Sequence, residues 1–307
     1  CELRVSHLTF DKLELKLTNT QQSPAKTELR HLMHELAGAF LFGMPFLYTM
    51  EIWWRGNTAG PSRMLAALAL TFIALVVLER AAMARFNRSV PWLRILIEAT
   101  QALATGLIAA AVGLFLIGFL ETDAGLHAIT GRLCMEGLPF SLGVGLADFI
   151  LGEKEEGHEK GEAGKSAEHK KTGDMRERVA VRTGATALGA TVIALTLAPT
   201  EEIPLIASRL SYPHLLGIVA ASLVISYMIV FASNFVATEA RRAHRGGFDA
   251  PVVETTLSYI VSLVMAGGML WLYQLIDLND SPDLLASYIV VLGLPASVGG
   301  AAGRLAL

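Results

Sequence analysis

Between Glu98 and Glu121 the chain runs for 22 residues without a charge, and between Glu254 and Asp277 it does so again for 22. At a rise of about 1.5 Å per helical residue each gap reaches roughly 33 Å, enough to cross a hydrocarbon core of about 30 Å. Buried helices of soluble domains rarely need so long a neutral run. The balance of residues agrees: 53% are apolar and only 17% charged, outside the usual range of a soluble domain. A soluble globular fold is excluded. The expectation is an all-α polytopic membrane protein whose first partner is the lipid bilayer.

Apolar stretches give eight candidate transmembrane helices, at about 35–54, 62–83, 94–120, 132–151, 183–202, 211–237, 252–276 and 286–307. The connections test that number. Arg80, Arg85, Arg88 and Arg94 crowd the loop after the second span, Arg241, Arg242 and Arg245 the loop after the sixth. The central loop carries Lys154, Lys160, Lys165, Lys170, Lys171, Arg176 and Arg178, while alternate loops hold Glu121, Asp123, Glu201, Glu202, Asp277, Asp280 and Asp283. With eight spans every basic loop falls on one side, which the positive-inside rule makes the cytoplasm, together with both termini.

Residues 1–34 read as a polar cytoplasmic segment, with Leu13, Leu15 and Leu17 alternating like a short strand. Residues 152–181 read as a solvated linker of mixed charge, with His158 and His169 as polar filler. Cys1 and Cys134 are too few and too far apart for a disulfide framework or a zinc knuckle.

The flanking segments, 35–151 and 182–307, repeat one another. GLPFSLG at Gly137–Gly143 recurs as GLPASVG at Gly293–Gly299, 156 positions later, and Glu98 and Thr100 recur as Glu254 and Thr256 at the same offset. Gly38-Ala39 with Thr49, Glu51 and Ile52 matches Gly189-Ala190 with Thr200, Glu202 and Ile203 at an offset of 151. Four spans in each half insert both halves the same way round. That predicts two parallel four-helix repeats about an axis normal to the membrane, with any solute site where they meet.

Acidic residues in such a setting need a partner, a proton or a cation. Glu51, in LYTMEIWW, is expected to lie one turn inside the outer boundary, with Trp53 and Trp54 as the aromatic belt. Its counterpart Glu202, beside Glu201, precedes another apolar stretch. The sequence leaves two readings open: a hard-oxygen site for a small cation, or structural pairing with Arg55 and Arg209. Glu98 and Glu254 mark an expected inner mouth, with polar faces continuing through Gln101 and Thr105 and through Ser258 and Ser262. Such hydroxyls equally glue helices together. In GLPxSxG, Gly137, Pro139, Ser141, Gly293, Pro295 and Ser297 predict either a kinked or broken helix or close helix packing. Asp148 and Arg304, 156 positions apart and opposite in charge, are expected to pair across the axis.

Other motifs carry less. His31, His34 and Glu35 have helical metal-ligand spacing but no further ligand cluster, so juxtamembrane polar roles are expected. Glu201-Glu202 resembles the glutamates of intramembrane CAAX-type proteases, yet Arg209 is too distant and that family's histidine motifs are missing. No phosphate loop, dinucleotide fingerprint or nucleophile elbow stands in a suitable context. No enzyme activity, cofactor or nucleic-acid partner is expected.

LYTMEIWW, PTEEIP and the paired GLPxS segments resemble an uncharacterised family of bacterial integral membrane proteins, over most of residues 35–307. The resemblance implies a bacterial inner membrane and brings no activity. The functional expectation is therefore a channel or secondary transporter for a small cation (H⁺, Na⁺, K⁺, Mg²⁺ or Ca²⁺). The alternative is a non-transporting subunit that scaffolds or assembles a larger membrane complex, and a homo-oligomer is compatible with either reading.

Overall fold

Among the described residues four helices begin on a proline, whose fixed φ suits a helix start and whose missing N–H would have no partner there. A computed structural model describes residues 24–85, 90–120, 125–160, 175–232, 251–277 and 279–305. Among these residues are ten helices and no strand. They are α1 (Pro24–Leu47), α2 (Met50–Thr58), α3 (Pro61–Arg85), α4 (Trp92–Leu116) and α5 (Leu126–Lys160), then α6 (Met175–Leu197), α7 (Glu202–Arg209), α8 (Tyr212–Ala232), α9 (Pro251–Leu272) and α10 (Pro282–Leu305). The chain divides into a first unit, Cys1–Met33, and a second, His34–Leu307, and all packing below concerns the second.

Six of these helices are long and apolar enough to cross a membrane: α3, α4, α6, α8, α9 and α10. The bent pair α1–α2 makes a seventh if it is counted as one span. The stretch expected as a fourth span lies within α5, which is long enough but carries Arg132 and Glu136 and is not among the seven. Large apolar side chains point outward along α3 (Leu65, Leu70, Ile73, Val77) and α6 (Leu188, Val192), as lipid-facing surfaces require.

The halves are organised around their last helices. α5 packs against α2, α3 and α4, and α10 against α6, α7, α8 and α9. Burial follows: 61% of the apolar window of α10 is enclosed, against 22% for α3 and for α6. Close approach is made with glycine. A Cβ on Gly143 would lie 2.6 Å from the Gly38 carbonyl oxygen, and one on Gly299 would lie 2.5 Å from that of Gly189. Both distances are too short for any side chain, so α1 crosses α5, and α6 crosses α10, backbone against backbone.

Two expectations are corrected. The helix expected over 35–54 stops at Leu47, and α2 leaves it at 84°. Pro45 in the last turn removes a backbone donor and strains the turn before it. The helix expected over 183–202 stops at Leu197, two residues before Pro199, and Glu202 opens α7. Proline restricts the residue before it to extended conformations, which ends the helix. Within the expected linker 152–181, α5 runs to Lys160 and α6 starts at Met175, and residues 161–174 lie outside the described residues. The linker's lysines and glutamates are good helix formers, and Glu156 and Lys160 stand four apart. Through Pro139 and Pro295, by contrast, α5 and α10 run on as helices, and the glycines of GLPxSxG serve the close crossings. Leu13, Leu15, Leu17, His169, Arg88, Arg241, Arg242 and Arg245 lie outside the described residues.

Candidate functional site

The α1–α2 break frees backbone groups that need partners. Trp53 on α2 reaches back with its indole Nε1, 3.1 Å from the Leu47 carbonyl. Tyr48, fully buried, donates its hydroxyl to the Val291 carbonyl of α10 at 2.7 Å. Met50 opens α2, so its N–H has no helical acceptor. It points to Glu202 Oε1, 3.4 Å away, at the start of α7. A carboxylate at a helix N-terminus is favoured by the helix dipole as well as by the bond. The two breaks therefore meet, and the junction brings Glu202 to the residue next to Glu51.

Further contacts extend this junction. Phe119 follows α4, packs at a tilt against Trp53 with ring centroids 4.1 Å apart, and receives the Arg209 guanidinium of α7 at 4.8 Å. Gly118, at φ +75°, closes α4 through a bond from the Phe119 N–H to the Leu114 carbonyl. Glu51 and Glu201 are exposed and Glu202 is half-buried. Neither Glu51 with Arg55 nor Glu202 with Arg209 forms an ion pair among the described residues.

Glu98 and Glu254 are placed differently. Glu98 accepts from Arg94 Nε at 2.8 Å, an exposed pair one helical turn apart. Glu254 Oε1 accepts from Arg182 Nη1 at 2.9 Å and from Arg304 Nη2. Arg304 thus pairs within its own half of the chain, and the side chain of Asp148 lies outside the described residues. The polar faces hold helices together. Gln101 Nε2 and Thr105 Oγ1 donate to the two oxygens of the buried Glu35, at 2.7 and 2.8 Å, tying α4 to α1. Thr186 and Ser258 share a bond between α6 and α9 at 3.4 Å. Ser262 bonds its own helix through the Ser258 carbonyl. A groove of about 390 Å³ runs past Gln101, but Leu96, Ile97, Thr100 and Ala104 complete its lining. All lie on one helix, so it is a surface hollow and not a passage.

A model of integral membrane proteins matches residues 31–307. The chain belongs to the family described as "Putative integral membrane protein (DUF2391)". No curated protein and no solved structure matches this DUF2391 chain.

In the DUF2391 fold the sequence reading passed over two carboxylates. Glu79 on α3 and Glu136 on α5 are both buried, Glu136 completely. The signal for Glu136 was present: it is the lone charge between Arg132 and Asp148. No group of three or more His, Cys, Asp or Glu stands close enough to hold a metal among the described residues, the HLMHE segment included.

Proposed function

We propose that this protein is a channel or secondary transporter for a small cation, with its pathway where two tandem four-helix repeats meet. Contacts that recur at the sequence offsets support the duplication. The crossing of Gly38 with Gly143 recurs as that of Gly189 with Gly299, at offsets of 151 and 156. Gly137 lies on Leu107 as Gly293 lies on Leu263, both at 156. The left-handed residues that close α4 and α9, Gly118 and Gln274, are also 156 apart. Counting the α1–α2 pair as the first span and α5 as the fourth gives eight crossings. By the positive-inside rule the arginine- and lysine-rich connections then favour cytoplasmic termini, and the family resemblance favours a bacterial inner membrane.

One observation carries the reading of transport: the Glu202 carboxylate meets the α2 N-terminus beside Glu51, where both repeats have interrupted helices. Interrupted helices at a repeat interface are a recurrent way to offer polar groups to an ion at membrane depth. Glu51 and Glu202 are the principal coordinating or proton-carrying groups, with Glu201 beside them at the mouth. The paired, hydrogen-bonded settings of Glu98 and Glu254 favour structural roles for those two. No catalytic role is assigned.

Purified protein in liposomes tests this with fluorescent reporters for H⁺, Na⁺, K⁺, Mg²⁺ and Ca²⁺. Flux of one of these ions is expected, falling at least tenfold in the Glu51→Gln, Glu202→Gln double variant. No flux of any of the five overturns the proposal. A stoichiometric membrane partner recovered with inactive protein would favour the scaffold instead.

A further inference from the structure

We propose that Glu136 is a proton-binding site inside the first half, level with the α1–α2 break. Its side chain is wholly enclosed, and neither carboxyl oxygen has a hydrogen-bond partner among the described residues. Its position follows from helical spacing. Residues 136, 140, 143 and 147 share one face of α5. The last three touch α1, with Phe140 against Gly43 and both Gly143 and Ala147 against Gly38. Read backward along α5 the contacts advance along α1, so one further turn sets Glu136 opposite Leu47, where α1 ends. Leu47 and Tyr48 are themselves fully buried.

Among the described residues the neighbouring helices bring no counter-charge into hydrogen-bond contact with this carboxyl. α2 presents Gly56 and Asn57 to α5, α3 presents Met64 and Leu75, and α4 presents Leu107. The ionisable groups closest in register are engaged elsewhere. Arg132, one turn earlier, sends Nε to Asn57 Oδ1 at 2.6 Å and Nη1 to the Phe119 carbonyl at 2.5 Å. The Tyr48 hydroxyl goes to Val291. An isolated ionised carboxylate is costly in such surroundings and must gain a proton or a cation. A hard cation wants several oxygen ligands, and among the described residues no group of three or more His, Cys, Asp or Glu stands here to supply them. The proton is the ligand that fits.

Packing does not demand the carboxyl. At the matching position of α10, 156 residues on, stands Leu292, equally enclosed. A side chain of similar bulk fills that place with no polar atom. The carboxyl in the first half is therefore not there to fill space: it holds a proton. The proton site stands on the geometry of α5, whereas its use in transport rests on the junction pathway proposed above.

Infrared difference spectra in lipid, recorded in H₂O and D₂O at neutral pH, read the site directly. A deuterium-sensitive carbonyl band of a protonated carboxyl is expected. One carboxyl's share of it disappears in Glu136→Gln and stays in the Glu51→Gln, Glu202→Gln double variant. Glu136→Leu, which installs the residue of the other half, is expected to melt no lower than the parent. A folded Glu136→Gln protein with an unchanged band overturns the proposal, as does loss of folding in both Glu136 variants. A Glu136 band without ion flux sinks the transport reading and leaves this one, and flux without the band does the reverse.

Discussion

The two halves share a frame and differ in where they put charge. Both cross their first and last long helices at glycine, at Gly38 and Gly143 and again at Gly189 and Gly299. Inside the first half, Glu35 and Glu136 are buried. At the corresponding offsets the second half has Thr186 and Leu292, equally buried and neutral. At the rim the contrast reverses. Glu98 has one exposed arginine a turn away, whereas Glu254 lies between Arg182 and the largely buried Arg304. The difference separates what the backbone needs from what was added to it. Glycine crossings and helix ends recur at the repeat offsets, while the buried carboxylates Glu35 and Glu136 belong to the first half.

The frame is the place to strike hardest. Gly143→Val and Gly299→Val each drive a branched side chain into a carbonyl of the facing helix, where backbone cannot yield. Overpacking of this kind costs about 1–3 kcal/mol, and the unyielding main chain sets these two at the upper end. Both variants are expected to lose most of the folded, detergent-extracted protein on size-exclusion chromatography, and by similar amounts. If one half tolerates the valine, the two crossings are not equivalent and the duplication argument weakens.

Much of the frame was legible in the sequence because membrane helices announce themselves by length and neutrality. The uncharged runs after Glu98 and Glu254 became α4 and α9 within a few residues of their expected ends. Prolines misled the reading at two breaks, while at GLPxSxG it left kinking and close packing open. Pro45 and Pro199 stand at breaks that were read as continuous helix, while Pro139 and Pro295 are absorbed within α5 and α10. Composition alone could not separate these cases, because what decides them is whether neighbouring helices satisfy the freed backbone groups. The candidate site was half legible. Glu51 and Glu202 follow from repeat arithmetic, but the bond from Met50 to Glu202 depends on two bends that no periodicity encodes. Glu136 was in plain view as a lone charge. Its full enclosure depends on the approach of α1.

Charge placement gives the next largest contrast. In Glu254→Gln, Arg304 keeps its charge in a site where its side chain is only 8% exposed and loses the carboxylate that balances it. Breaking one side of a buried pair costs about 3 kcal/mol, so a clear fall in melting temperature is expected. Glu98→Gln removes a single exposed pair with Arg94, worth at most about 0.5 kcal/mol, and its melting temperature should stay near the parent's. Equal losses in the two variants would mean that the rims of the halves are alike, contrary to the geometry.

The finest contrast lies in two helix ends. α4 and α9 finish with the same cap: the residue after the turn adopts a left-handed conformation, and the next N–H reaches five residues back, from Phe119 to Leu114 and from Leu275 to Leu270. The first half places glycine there, at φ +75°, and the second places Gln274, at φ +62°. A side chain in that region costs about 1 kcal/mol through crowding of Cβ against the backbone. Gln274→Gly is therefore expected to stabilise the protein by about 1 kcal/mol, read as a small rise in melting temperature. Gly118→Gln should destabilise it by more, because its new Cβ would also press to 3.1 Å from the Leu210 side chain across the junction. Were Gln274→Gly to lower the melting temperature, the glutamine would have to hold a contact that outweighs its strain, and the two caps would share a shape without sharing a role.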